Sequence, residues 1–198
     1  IQLKYLPDSK VKYAIQSINI QSGIFCLMKD RFQDIIWVGA DGQGIYMYFT
    51  DEFSIENVLL DVPEYRVNNP VRALFLDHEQ TLWIGTKGGG ILRMMDFYPD
   101  RETLPQAERI LANNSALMDN SVYSFAPGRR NSLWIGTEDG LNYYSYLTKR
   151  IEEFPVIADG KKVKYVHSIC ETNDSTLWVV SAGEGIVKIT LEASSSLP

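Results

Sequence analysis

Cysteine is scarce in this 198-residue chain: only Cys26 and Cys170 are present, too few for a disulfide framework and without the spacing of a metal site. Both sit in apolar stretches (IFCLM and HSICE), where a free thiol is expected to pack as a small core residue. Histidine is as rare, with only His78 and His167, neither flanked by acidic or cysteine ligands, so no metal site is expected. Long hydrophobic runs are missing too. The longest span about five residues, against the roughly 20 needed to cross a bilayer, so no membrane contact is expected of this segment. There is no basic surplus either: 25 acidic residues outweigh 19 basic ones, for a net charge of -6. A phosphate-neutralising face needs clustered Lys and Arg, and the longest groupings here are Arg129 with Arg130 and the stretch Lys161, Lys162 and Lys164. Nucleic acid is thereby excluded as an expected partner. The chain opens on Ile1 with no basic-then-apolar leader, which reads as a processed chain or an excerpt of a longer one.

What the chain does have is 45% hydrophobic residues, 12% aromatic, enough for a sizeable core, and a repeat. Trp37, Trp83, Trp134 and Trp178 recur at intervals of 46, 51 and 44 residues, and they are all the tryptophans there are. Each sits in one frame: IIWVGADGQGIYMY from Ile35, LWIGTKGGGILRMM from Leu82, LWIGTEDGLNYYSY from Leu133 and LWVVSAGEGIVKIT from Leu177. Upstream of each lies a second apolar segment: GIFCLMKD from Gly23, VRALFLD from Val71, VYSFAPG from Val122 and VHSICET from Val166. Downstream comes a turn, then a third segment starting at Ile45, Ile91, Leu141 or Ile186, and in three units a weaker fourth: SIENVLL, AERILAN and RIEEFPV. Trp, Val, Ile, Tyr and Phe dominate, and Gly, Asp and Asn punctuate, which predicts strands rather than helices.

Four short strands in about 45 residues, repeated in tandem, is the pattern of β-propeller blades. The expected fold is therefore all-β, a β-propeller made of four-stranded antiparallel blades with about four blades present. Residues 1–20 read as the end of a preceding blade, 23–60, 71–113 and 121–157 as blades, and 165–191 as an incomplete last one. An arc of a larger ring, of the seven-bladed type, is one reading. The other lets residues near 11–18 complete the last blade and close a four-bladed ring. An open arc exposes apolar blade faces, so self-association or contact with the remaining blades of a parent protein is expected of it. A tryptophan in every blade, Trp37, Trp83, Trp134 and Trp178, is expected to be a buried structural anchor.

Trp followed by Ile or Val, then Gly, Thr or Ala, a Gly-bearing turn and a Leu or Ile strand resembles the repeat of the two-component regulator propeller family. LWIGTKGGGI at Leu82 and LWIGTEDGL at Leu133 match closely, with SVYSF at Ser121 in the preceding segment. IIWVGADGQGI is looser, and the last unit departs with Val180 and Ser181 where Gly and Thr are usual. The resemblance implies the sensor region of a bacterial hybrid two-component protein, periplasmic or otherwise extracytoplasmic, that detects a ligand such as a carbohydrate and passes the signal to a histidine kinase. With no catalytic cluster in the sequence, this segment is not expected to be an enzyme, whatever kinase a parent protein carries.

GADGQG and KGGG look like phosphate cradles, but they lead into a strand and not a helix N-terminus, so they read as tight turns. The pairs Glu138 with Asp139 and Glu152 with Glu153 fit solvated turns or edges better than glycoside chemistry. Asp77 precedes Trp83 by six residues, but the same offset finds Arg31, Gly128 and Thr172, so no shared acid is expected. No GxSxG elbow occurs, and Ser194 to Ser196 belong to a polar tail. Tyr46, Tyr48, Tyr143, Tyr144 and Tyr146 lie on third segments, where packing is expected before sugar stacking. No catalytic residue and no cofactor is therefore expected. Loops on a rigid scaffold carry recognition, which nominates Asp41, Gln43, Lys87, Glu138, Asp139 and Glu184 in the turns between second and third strands as ligand-binding residues. The rival functions are a protein-interaction scaffold of the WD-repeat sort, which would want Trp-Asp and Gly-His pairs absent here, and a propeller lyase or dehydrogenase, which would want a catalytic cluster.

Overall fold

A computed structural model describes residues 17–58, 63, 66–97, 106–129, 131–172 and 175–191. The readings placed on residues 1–16 and on the tail from 192 lie outside the described residues. Among the described residues the sheets are built from seventeen strands. β1 (Ile24–Lys29), β2 (Ile35–Ala40), β3 (Ile45–Phe49) and β4 (Ser54–Asn57) form one antiparallel sheet in sequence order. β5 (Val71–Leu76), β6 (Leu82–Thr86), β7 (Ile91–Met95) and β8 (Gln106–Ile110) form the next. β9 (Val122–Gly128), β10 (Ser132–Thr137), β11 (Gly140–Ser145) and β12 (Arg150–Phe154) form the third. A small hairpin, β13 (Ile157–Ala158) with β14 (Lys161–Lys162), leads to a last sheet of three described strands, β15 (Val166–Glu171), β16 (Thr176–Ser181) and β17 (Gly185–Thr190). The fold is all-β, with four-stranded antiparallel propeller blades.

The core lies between blades. Trp37, Ile45 and Met47 of the first blade pack on Val71, Leu82 and Ile84 of the second. Trp83 and Ile91 pack on Val122, Leu133 and Ile135 of the third, and Trp134, Leu141 and Tyr143 on Val166, Leu177 and Val179 of the last. Each tryptophan thus faces the blade that follows it, and this is why LWIGT is buried at every position: both of its faces are covered. The Gly of each Trp-x-Gly exists for the same contact. A Cβ on Gly39 would come within 2.7 Å of Val71, on Gly85 within 2.9 Å of Val122 and on Gly136 within 2.7 Å of Val166, all on the next blade.

Trp37, Trp83 and Trp134 are fully buried, but Trp178 is 39% exposed, which corrects the expectation of four equivalent anchors. Its outward face carries Val180 and Ile186, also exposed, because no following blade covers it among the described residues. Ile24 and Leu27 are exposed on the first blade in the same way. Cys170 lies on the uncovered blade and is exposed, contrary to its expected place in the core, whereas Cys26 is partly buried between the first two blades.

A second correction concerns the acid. The turn after the first strand is one residue longer in the first blade, where Lys29 pairs with Ile36, than in the second, where Leu76 pairs with Leu82. Asp30, not Arg31, is therefore the counterpart of Asp77. Each carboxylate accepts the indole N–H of its own blade, Trp37 to Asp30 at 2.9 Å and Trp83 to Asp77 at 2.8 Å, and also caps backbone N–H groups of the turn. The third blade has no such acid, and Trp134 donates instead to Glu171 at the end of β15 in the next blade, at 2.7 Å. An indole N–H removed from water is left with a charged acceptor in each case.

Candidate functional site

The first strand of every blade is broken at the same place. Pairing with the second strand slips between Ile24 and Cys26, between Val71 and Ala73, between Val122 and Ser124, and between Val166 and Ser168. One residue per blade is left without an opposite number: Phe25, Arg72, Tyr123 and His167. A β-bulge of this kind re-aims the extra side chain, and bulges gather at barrel rims and beside functional sites. First strands of successive blades lie side by side at the inside of the arc, so the four re-aimed side chains fall into a row.

The row is stacked. The Arg72 guanidinium lies 3.7 Å from the centre of the Phe25 ring, and the rings of Tyr123 and His167 are 4.7 Å apart at 38°. Phe25 and His167, the two ends, are exposed. Arg72 has a buried Nε with no hydrogen-bond partner. The Tyr123 hydroxyl donates to the Glu138 carboxylate at 3.0 Å, and burial together with that acceptor raises its pKa. The surface so made offers flat faces, a cation and an acid along one line.

The turns nominated from the sequence frame the same end of the blades. The first residue of each turn donates its N–H to the chain that leads into its own blade: Asp41 to Gly23, Lys87 to Pro70, Glu138 to Ser121 and Ala182 to Tyr165. Turns are also tied to the next blade, by the N–H groups of Gly88 and Gly90 donating to Asn120 and that of Tyr165 to Glu138. Gly90 can make this approach only as glycine, since its φ is +69° and a Cβ would lie 2.2 Å from the carbonyl oxygen of Ile110.

Of the six nominated side chains, Glu138 joins the row through Tyr123. Asp139 is held by Lys162 at 2.6 Å and Lys164 at 2.7 Å, and these two ammonium groups hold its carboxyl below the usual range. Gln43 donates to the carbonyl of Gln21 and accepts the Tyr46 hydroxyl. Asp41 and Lys87 are exposed, and Glu184 is half-buried on the uncovered last blade. Tyr143, Tyr144 and Tyr146 are buried in the interblade cores. Among the described residues no three His, Cys, Asp or Glu side chains gather to hold a metal ion. None of the four row residues was nominated for binding from the sequence, although setting the repeats in register puts Phe, Arg, Tyr and His in one column between core positions.

Comparison with known proteins agrees with this geometry. A family model described as two component regulator propeller matches residues 66–88 and 116–139, each match running from the approach to a first strand into the turn after a second. Those two segments match the repeat of the two-component regulator propeller family. The chain is 27% identical over 185 residues to histidine kinase P4 of Formosa agariphila, an alignment covering 91% of the chain and 13% of the kinase. Among solved structures, the extracellular domain of the hybrid two-component system BT3049 of B. thetaiotaomicron superposes with a TM-score of 0.58 at 19% identity, over 95% of this chain and 29% of that one. PorZ, a surface component of the type-IX secretion system of Porphyromonas gingivalis, gives 0.62 at 14% identity, over 84% of this chain and 26% of that one. The chain therefore spans less than a third of the length of each of these proteins.

Proposed function

We propose that this chain is a ligand-recognising segment of an extracytoplasmic sensor in a two-component signalling protein, non-catalytic itself, with a carbohydrate as its class of ligand. The observation that supports this most is the bulge repeated in all four blades, which sets Phe25, Arg72, Tyr123 and His167 in one row. A repeat whose only task was packing would have no use for a bulge that removes a side chain from the ladder. Sugars bind by laying their C–H faces on flat side chains while acids and cations take their hydroxyls, and the row with Glu138 supplies all three kinds of contact.

In this reading the uncovered faces, Ile24 and Leu27 at one end and Trp178, Val180 and Ile186 at the other, are covered by further blades of the longer protein. A plain scaffold propeller would also have such faces, but its first strands would need no such row. The test is a screen of neutral and acidic oligosaccharides by calorimetry, against the chain and against the Arg72→Ala and Tyr123→Ala variants. The expected result is binding that either variant weakens about tenfold, as loss of one charge-assisted contact or one ring face allows. Binding that neither change affects would move the ligand off the row, and no binding by any oligosaccharide would withdraw the carbohydrate.

A further inference from the structure

At the outer edge of the second and third blades, away from the inner row, the surface opens into a cleft of about 750 Å³ between strands β7 and β8 of one and β11 and β12 of the other. That is a volume suited to a small ligand. In a chain of net charge -6, this cleft is lined by Arg93, Arg109, Lys149 and Arg150 against Glu108 and Glu152. Some of that charge is already committed: Lys149 is paired with Glu79, and Glu152 accepts the Tyr143 hydroxyl at 2.8 Å.

Arg93 is different. Its side chain is 10% exposed, and its guanidinium carbon lies 4.4 Å from the ring centre of Trp83 and 4.9 Å from that of Tyr144, the two rings meeting edge-on beneath it. Ring faces fix the plane of a guanidinium and attract its charge, but they accept no in-plane hydrogen bonds of the strength a carboxylate does. Among the described residues, one of its five N–H bonds finds a good acceptor, Glu108 at 2.8 Å from Nη1. Nη2 reaches the Tyr144 hydroxyl oxygen only at 3.4 Å, and Nε is buried without a partner. Glu108, on the solvent side, is 53% exposed, so its grip on Arg93 is exchangeable. A rigid, desolvated fork short of acceptors at the floor of a ligand-sized cleft is the arrangement that selects a planar or tetrahedral oxyanion.

We propose that this cleft binds a small ligand through an oxyanion group, a carboxylate or a phosphate, which engages Arg93 while Arg109 and Arg150 flank it. The test is calorimetric titration of the 198-residue chain with citrate and with inorganic phosphate, each at ionic strength held constant with chloride. Saturable binding at one site is expected from at least one of them, and which one binds assigns the group as carboxylate or phosphate. Arg93→Met should weaken it about tenfold or more, and Arg109→Gln with Arg150→Gln about threefold, while Arg72→Ala leaves it unchanged. The Arg93 Nε–H resonance should shift with the titration. If Arg93→Met does not fold, the double variant and the resonance decide. No saturable binding of either anion, or binding that the double variant leaves intact, overturns the site, and neither result bears on the inner row.

Discussion

The second and last blades use almost the same words, LWIGT and LWVVS, and put them to different ends. Trp83 is 0% exposed, with Tyr144 edge-on at 4.8 Å, Phe125 at 6.2 Å and Arg93 above it, whereas Trp178 is 39% exposed with Lys188 5.5 Å from its ring centre. Asp77 caps the first indole, while Thr172 holds the equivalent place in the last blade and bonds instead to the carbonyl of Thr176. Gly85 admits Val122 of the next blade, and Val180 stands where that glycine would be, exposed. The motif therefore specifies a strand and its register, and the neighbour decides whether the indole is an anchor.

Removing the indole separates the two blades most. Trp83→Ala opens a cavity among rings that cannot close over it and is expected to cost about 3–5 kcal/mol, against at most about 2 kcal/mol for Trp178→Ala, which already gives part of its surface to water. Denaturant unfolding of the two variants measures the gap, and equal losses would mean that Trp178 is as covered as Trp83. Next comes the carboxylate. Asp77 is buried and accepts from the Trp83 indole, the Tyr146 hydroxyl and the N–H groups of Glu79 and Thr81, so Asp77→Ala strands several donors at once and should cost about 2–3 kcal/mol. Thr172→Ala, its counterpart in the last blade, should cost no more than about 1 kcal/mol.

The glycine gives a smaller contrast of the same kind. Gly85→Val would drive a side chain into Val122 and Phe125, whose nearest atoms lie 2.9 and 3.0 Å from a built Cβ, with an overpacking cost of about 1–3 kcal/mol. Val180→Gly meets no such wall and should lose only the difference in strand preference, about 0.5–1 kcal/mol. If Gly85→Val were tolerated as well as Val180→Gly, the close approach of consecutive blades would not be what keeps that position small.

These contrasts mark what a sequence can carry. The strands were legible because Trp, β-branched residues and turn glycines recur at one period, and period is a local property. The exposure of Trp178 was not, since nothing in LWVVS says whether a blade lies beyond it. The shared acid was hidden by one residue of turn length, which moves Asp30 out of a fixed-offset alignment with Asp77, and the acid of the third blade comes from another blade altogether. The inner row was half-visible. A β-bulge leaves no composition signal of its own, but four large planar or polar groups between Val or Ile and a small core residue are a column that apolar strands do not require. Of the turns nominated for recognition, Glu138 is linked to the row directly, because its neighbourhood was fixed by topology and not by its own residue type.

The two cysteines carry the comparison to its gentlest limit, a chemical difference with no stability change at neutral pH. Cys26 lies against the second blade, its thiol 3.7 Å from the Val71 carbonyl, and burial pushes its pKa from 9.0 up to about 11. A shift of that size cuts the thiolate at pH 8 about a hundredfold, so a disulfide reagent should label the exposed Cys170 first and Cys26 much later. The sign of the linkage follows: the folded state holds the Cys26 proton more tightly than the unfolded chain does. Its contribution is whole below pH 9 and is lost as the pH rises from there through about 11. Cys26→Ser should flatten that alkaline decline, and Cys170→Ser should leave it in place. Equal labelling rates for the two thiols in the folded chain would show that the interface between the first two blades opens as freely as the uncovered face of the last.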